Sequence, residues 1–199
     1  SPWIYRGDLF PEEFLGNAFA CEPALHLIKR DILGMEEGKL VAREAYEKKE
    51  FLASTDERFR PVSLTTGPDG ALYVIDFYRG IIQHRISLSP YLEEYIEEQD
   101  LVEPRGLGRI WRVVPDDATL RPAPRLADLP PAELVPFLAH SNSWQRETAQ
   151  RLLVEKGGNT VVPALETLAR GESALGRLHA LWTLDGLGKT SRAVLEPAL

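Results

Sequence analysis

The chain has 199 residues, 44% of them hydrophobic and 27% charged, and its 30 acidic against 23 basic side chains give a net charge of -7. This length allows one or two domains with a sizeable core, and the acidic balance argues against a general nucleic-acid binder, which needs a basic face. No apolar run approaches the roughly 20 residues that span a bilayer, and the single cysteine, Cys21, can form neither an internal disulfide nor a cysteine-based metal cluster.

The chain opens on "SPWIYRGDLF", without a basic–apolar leader, and reads as a mature or excised piece of something longer. His26, His84, His140 and His179 lie far apart, so no metal or haem-attachment spacing is present, and Walker, G-x-G-x-x-G and G-x-S-x-G motifs are absent.

Up to about residue 115 the pattern is that of short strands: 17–23, 25–33, 39–46, 61–66, 71–78 and 108–114. These runs alternate or are rich in β-branched and aromatic residues, with turn residues between them. "GMEEG" (34–38) and "GPDG" (67–70) are turn clusters; in the second, Pro68 suits position i+1 of a type I turn and Gly70 its end. Cys21 lies in an apolar strand and reads as a small core residue.

A hairpin of 61–66 and 71–78 brings its outer ends together, because the two strands are antiparallel. Arg58 and Arg60 therefore meet Asp76, Tyr78 and Arg79. Strand 108–114 follows as the third neighbour. The excursion at 80–107 leaves and returns at the same end and carries an acidic helix over 90–99; long excursions of this kind often serve function or interaction. Its acidic run of Glu93, Glu94, Glu97, Glu98 and Asp100 reads as a solvated helix face, with a calcium site as the alternative.

Residues 116–130 are proline-rich and read as a linker. Beyond them the period becomes helical, over 131–140, 143–157, 161–171 and 173–188, with a fifth helix starting after 188. Two segments align at an offset of 30 to 31 residues, pairing Leu138 with Leu168, Arg146 with Arg177, and Ala149 with Ala180. Such two-helix units suggest a HEAT-type solenoid, and a generic helical bundle is the alternative. Trp144, Trp182 and His179 read as packed helix residues, and Arg146 and Arg177 as makers of hydrogen bonds within each unit. The fold class expected is thus a mainly β half, 1–115, of antiparallel propeller-type blades too few to close, followed by an all-α half at 131–199.

The phrases "IYRGDLFPEEFLGNAFACEPALHLIKRDIL", "FLASTDERFRPVSLTTGPDGALYVIDFYRGIIQH" and "GLGRIWRV", with "SNSWQRETAQRLL" and "LHALWTLDGLG" after them, resemble a large bacterial family. Its members are membrane-bound-dehydrogenase-type proteins abundant in planctomycetes and similar to the soluble PQQ-dependent glucose/sorbosone dehydrogenases. The resemblance implies an extracytoplasmic protein in which this chain supplies the last two blades of a six-bladed propeller and the HEAT-type segment behind it. It implies PQQ and calcium as cofactors of the intact parent. The chain itself lacks the haem-attachment motif that many members carry and the sugar dehydrogenases' catalytic histidine, which belongs to an earlier blade.

Arg58, Arg60, Asp76, Tyr78 and Arg79 are the candidate substrate- or cofactor-binding residues, since arginines suit quinone-acid carboxylates. His84 is a candidate proton acceptor. The structural alternative is that Asp76 pairs with an arginine to tie strand ends together and that His84 is a surface residue. Two functions are expected from these features: a fragment of a quinoprotein-like dehydrogenase acting on sugars or related alcohols and aldehydes, or a non-catalytic scaffold holding a protein or polysaccharide. The expected partners are the missing blades or another chain, which would cover the open strand edges, and a carbohydrate ligand.

Overall fold

The computed structural model describes residues 2–120 and 122–196. Its contacts divide the chain into two compact units. One comprises Ser1–Tyr5, Phe10–Thr66 and Ala71–Asp116; the other comprises Arg6–Leu9, Gly67–Gly70 and Asp117–Leu199. Among the described residues no helix is long and apolar enough to cross a membrane.

The first unit holds two antiparallel sheets. In one, β1 (Pro2–Ile4), β2 (Ala18–Glu22), β3 (Leu27–Glu36) and β4 (Lys39–Glu44) lie side by side in sequence order, and the two-residue β5 (Leu52–Ala53) also pairs with β3. In the other, β6 (Pro61–Thr66), β7 (Leu72–Asp76) and β8 (Arg109–Val113) follow one another, again in sequence order. The six expected strands are all present, in the expected neighbour order. No closed barrel or propeller forms from them.

The β3–β4 turn departs from the expected 34–38 cluster. β3 runs through Gly34 to Glu36, and the turn is only Glu37–Gly38, both at positive φ (48° and 76°). Two successive left-handed residues match the twist of the flanking strands. β7 likewise stops at Asp76 instead of 78, because Tyr78 turns into the left-handed region at φ 46°.

Tyr5, Phe19, Ile28, Leu64, Leu72 and Val74 form the core of this unit, with Cys21 packed against it; burying each large side chain contributes on the order of 2 kcal/mol. Burial raises the Cys21 thiol above its usual range, which disfavours the thiolate. A buried arginine belongs to the same layer. Arg30 donates from Nε to Asn17 Oδ1 (3.1 Å), from Nη1 to Tyr46 Oη (3.0 Å) and from Nη2 to the Glu13 carbonyl (2.7 Å), and its guanidinium lies 3.7 Å above the Phe14 ring.

The second unit is helical: α2 (Pro131–Leu134), α3 (Ser143–Lys156), α4 (Val162–Ala169), α5 (Ala174–Gly186) and α6 (Arg192–Leu195). The 80–107 excursion of the first unit supplies α1 (Pro90–Glu98), capped by the Ser89 hydroxyl, which accepts from the Leu92 N–H. The expected helix over 131–140 is α2 followed by a 3-10 stretch at Val135–Ala139; Pro136 withholds the N–H that a continued α-helix would use.

Two helix-pair units recur at an offset of 31 residues throughout. Buried Leu134, Leu138, Ala149 and Leu153 correspond to buried Leu165, Ala169, Ala180 and Leu184. Leu138 therefore matches Ala169, not Leu168. Arg146 Nη1 donates to the carbonyls of His140 and Ser141, six and five residues back, and Arg177 Nη1 does the same to Gly171 (3.0 Å) and Glu172 (2.9 Å). Each arginine thus closes the loop before its own helix. His179 is buried as expected, whereas Trp182 is 59% exposed and packs no core; Trp144 is partly buried against the helical core.

Candidate functional site

The strand pairing places the expected site residues where the hairpin argument requires. Pro61 is opposite Asp76 across β6 and β7, and Asp76 is opposite Arg109 across β7 and β8. Beyond the strand ends the ladder continues, with Phe77 N–H donating to the Arg60 carbonyl (2.9 Å) and Arg79 N–H to the Arg58 carbonyl (2.8 Å). Arg58, Arg60, Asp76, Tyr78 and Arg79 are therefore neighbours at one end of the three-stranded sheet.

Asp76 organises this end. Its side chain is fully buried. Oδ1 accepts from the backbone N–H groups of Arg60 and Tyr78, each at 2.8 Å, while Oδ2 accepts from Arg109 Nε (3.2 Å) and Trp111 Nε1 (3.1 Å). A buried carboxylate is tolerable when every lone-pair direction has a donor, and that condition is met here. The Oδ1 bond also holds Tyr78 at its positive φ, a conformation that costs a bulky residue on the order of 1–3 kcal/mol.

Arg60 works in the opposite sense. Buried as well, it donates from Nε to the Arg79 carbonyl (2.9 Å), from Nη1 to the Pro23 carbonyl (2.8 Å) and from Nη2 to the Gly80 carbonyl (2.6 Å). Burial lowers its pKa, with the Glu57 carboxylate opposing. Its fork is therefore turned onto the protein's own backbone, joining the β2–β3 turn to the segment after β7.

Arg58 serves the excursion, donating from Nη2 to the carbonyls of Asp100 (2.7 Å) and Glu103 (3.1 Å), while its Nε is buried without a partner. Nearby, Tyr95 Oη donates to Glu57 Oε1 (3.0 Å), a bond that raises the Tyr95 pKa. Gly80 lies so close to Leu101 that a Cβ there would stand 2.5 Å from the Leu101 carbonyl oxygen. His84 is exposed in the excursion, and no hydrogen bond among the described residues involves its imidazole.

Two residues absent from the sequence expectation complete the cluster. The Arg109 guanidinium lies 3.6 Å from the Tyr78 ring centroid and 4.7 Å from that of Trp111, and pairs with Asp56 (3.6 Å) as well as Asp76. Arg109 and Trp111 are two apart on β8 and so share a face; with the hairpin register, that spacing was the available signal. Beside them runs a groove of 470 Å³ whose lining includes Ser54, Asp56, Phe59, Trp111 and Arg112. A separate pocket of 390 Å³ lies within the excursion, lined in part by Arg79, Ile81, Leu88, Ile96, Glu97 and Leu101.

The residues present do not by themselves fit a quinone acid. Several arginines would have to converge on its carboxylates, yet of the three candidate arginines, Arg58 and Arg60 donate to backbone carbonyls, and Arg109 is paired with Asp56 and Asp76. Among the described residues no group of three or more His, Cys, Asp or Glu side chains is placed to hold a metal ion.

The chain is thus a double-sheet antiparallel unit and a paired-helix unit, with a buried carboxylate–arginine knot at one end of the smaller sheet. Residues 1–117, more than half of the chain, match the family described as Domain of unknown function (DUF7133), and the chain belongs to that family. No curated protein matches it, and no solved structure does.

Proposed function

We propose that this chain is the end segment of an extracytoplasmic, propeller-type protein resembling the soluble quinoprotein sugar dehydrogenases, and that its own part is to bind carbohydrate. The two sheets would be two blades whose remaining neighbours come from the parent protein or another chain. The 31-residue helix pairs would be HEAT-type repeats that follow the blades in the sequence. The observation that carries the binding role is the engagement of Asp76, Arg58 and Arg60 with the protein's own backbone and side chains, next to an open groove. That groove offers the Trp111 ring with Ser54, Asp56 and Arg112 around it. An aromatic face bordered by hydroxyl, carboxylate and guanidinium groups suits a sugar ring, which presents C–H groups on its faces and hydroxyls at its rim.

In this reading PQQ and calcium, with the oxidation of sugars or related alcohols and aldehydes, belong to the intact parent and are held by residues outside this chain. The test is calorimetric titration of the chain with a panel of soluble oligosaccharides. Saturable binding that survives in Trp111→Phe and is lost in Trp111→Ala is expected. Its absence across the panel would overturn the carbohydrate reading. Sugar-dependent reduction of an artificial acceptor by the intact parent, with PQQ and calcium added, tests the dehydrogenase context separately.

A further inference from the structure

We propose that the pocket of the 80–107 excursion binds a small apolar α-amino acid as its zwitterion, with the Arg79 guanidinium taking the α-carboxylate and the Glu97 carboxylate the α-ammonium. The pocket shares no lining residue with the groove at Trp111, so the two assignments stand independently. Its 390 Å³ falls within the range of small-molecule sites.

The backbone of Arg79 is fixed. Its N–H donates to the Arg58 carbonyl and its carbonyl accepts from Arg60 Nε. Its side chain is not. Half-buried, it stands 5.8 Å from the Phe77 ring centroid and makes no hydrogen bond or ion pair among the described residues. This sets it apart from Arg58, Arg60 and Arg109, all of which donate to fixed acceptors. Glu97, on α1, makes no ion pair among the described residues either. Arg79 and Glu97 line one pocket yet do not pair with each other within 4.0 Å, leaving a gap between two unused opposite charges.

The other charges of the lining are engaged. Arg105 Nε contacts Glu103 Oε1 (3.1 Å) and donates to the Val102 carbonyl (3.3 Å), and Glu93 has a partner of its own. The same lining also includes the apolar side chains of Ile81, Leu88, Ile96 and Leu101. A plain anion would face the Glu97 carboxylate, a plain cation would face Arg79, and a neutral apolar guest would strip water from both charges without replacing it. A zwitterion with an apolar side chain meets all three features at once.

Isothermal titration of the full chain with L-phenylalanine, L-methionine and L-leucine tests this, using N-acetyl-L-phenylalanine and L-phenylalaninamide as probes lacking one charge each. Saturable binding of a free amino acid is expected, with at least about tenfold weaker binding of each capped form. In Arg79→Gln the discrimination against the amide disappears, and in Glu97→Gln that against the N-acetyl form. Matching circular dichroism and unfolding midpoints show that both variants are folded. Failure of all three amino acids to bind overturns the proposal, as does equal affinity for free and capped forms in the parent chain.

Discussion

Asp76 and Arg109 face each other across β7 and β8, with Arg109 Nε 3.2 Å from Asp76 Oδ2, and that carboxylate also receives the N–H groups of Arg60, Tyr78 and Trp111. One buried anion therefore sets the ends of all three strands of the sheet. Asp76→Ala would leave these donors without an acceptor at a fully buried position. A loss of about 3–5 kcal/mol is expected from urea unfolding. Arg109→Ala removes one partly exposed donor and its stacking, and a loss of about 1–2 kcal/mol is expected. Equal effects of the two substitutions would contradict the view that Asp76 is the hub.

Arg60 gives a prediction with the opposite geometry. Three backbone carbonyls from Pro23, Arg79 and Gly80 surround its fork. A lysine keeps the charge but cannot reach three divergent acceptors from one nitrogen. Arg60→Lys is therefore expected to destabilise the chain nearly as much as Arg60→Ala, by about 2–4 kcal/mol, with faster amide hydrogen exchange at residues 79–81. Full rescue by lysine would show that charge, not the fork, matters there.

The convergence of residues 58–60 with 76–79 was legible in the sequence because antiparallel pairing dictates it once "GPDG" is read as a turn. What the arginines bind was not. Arg58 and Arg60 donate to main-chain carbonyls, and a carbonyl leaves no side-chain signature. β1 and β5 were missed because three-residue and two-residue strands show no period. Gly34 read as part of a turn from composition, yet it continues β3, since the left-handed pair Glu37–Gly38 already supplies the reversal. The helix-pair repeat was visible through Arg146 and Arg177, but Leu168 posed as the partner of Leu138 because a leucine matches a leucine. Burial shows that a smaller side chain, Ala169, holds that position.

Gly70 and Gly34 make a matched pair. At Gly70, φ is 83° and an added Cβ would lie 2.5 Å from Asp8 Oδ1 and 2.9 Å from the Leu9 nitrogen, whereas Gly34 has nothing within 4 Å of its Cβ position. Gly70→Ala is expected to lower stability by more than about 1 kcal/mol. Gly34→Ala, in an extended strand, is expected to be neutral or stabilising by up to about 1 kcal/mol. Thermal unfolding of the two variants side by side checks both signs.

His179 should make stability depend on pH. Its Nδ1 lies 2.6 Å from Gln150 Oε1 and its Nε2 lies 3.3 Å from Arg146 Nε, which donates to it. The ring is thus the neutral tautomer, protonated on Nδ1. Burial lowers its pKa, and the Arg146 charge lowers it further. The unfolded chain then takes up a proton that the folded chain refuses. Stability is unaffected by this group above the ordinary histidine pKa of about 6.5 and falls as the pH drops below it, by at most about 1.4 kcal/mol per pH unit. Subtracting the curve of His179→Gln should isolate that slope; a difference curve flat between pH 5 and 7 would contradict the assignment.

Asn142 separates helix capping from a second role of the same side chain. As N-cap of α3, its Oδ1 accepts from the Trp144 N–H (3.0 Å), and its fully buried Nδ2 donates to the carbonyls of Gly67 (3.0 Å) and Pro68 (3.2 Å). Aspartate caps helices as well as asparagine does, so a capping role alone would leave Asn142→Asp nearly silent. Here the substitution points a carboxylate oxygen at two carbonyl oxygens in a site without water access. Asn142→Asp is therefore expected to cost at least as much as Asn142→Ala, about 2–3 kcal/mol. The loss should shrink as the pH falls and the new carboxyl is protonated, because its folded-state pKa is raised by burial and by the facing carbonyls. A harmless Asn142→Asp at neutral pH would mean that the contacts of Nδ2 with residues 67 and 68 contribute nothing.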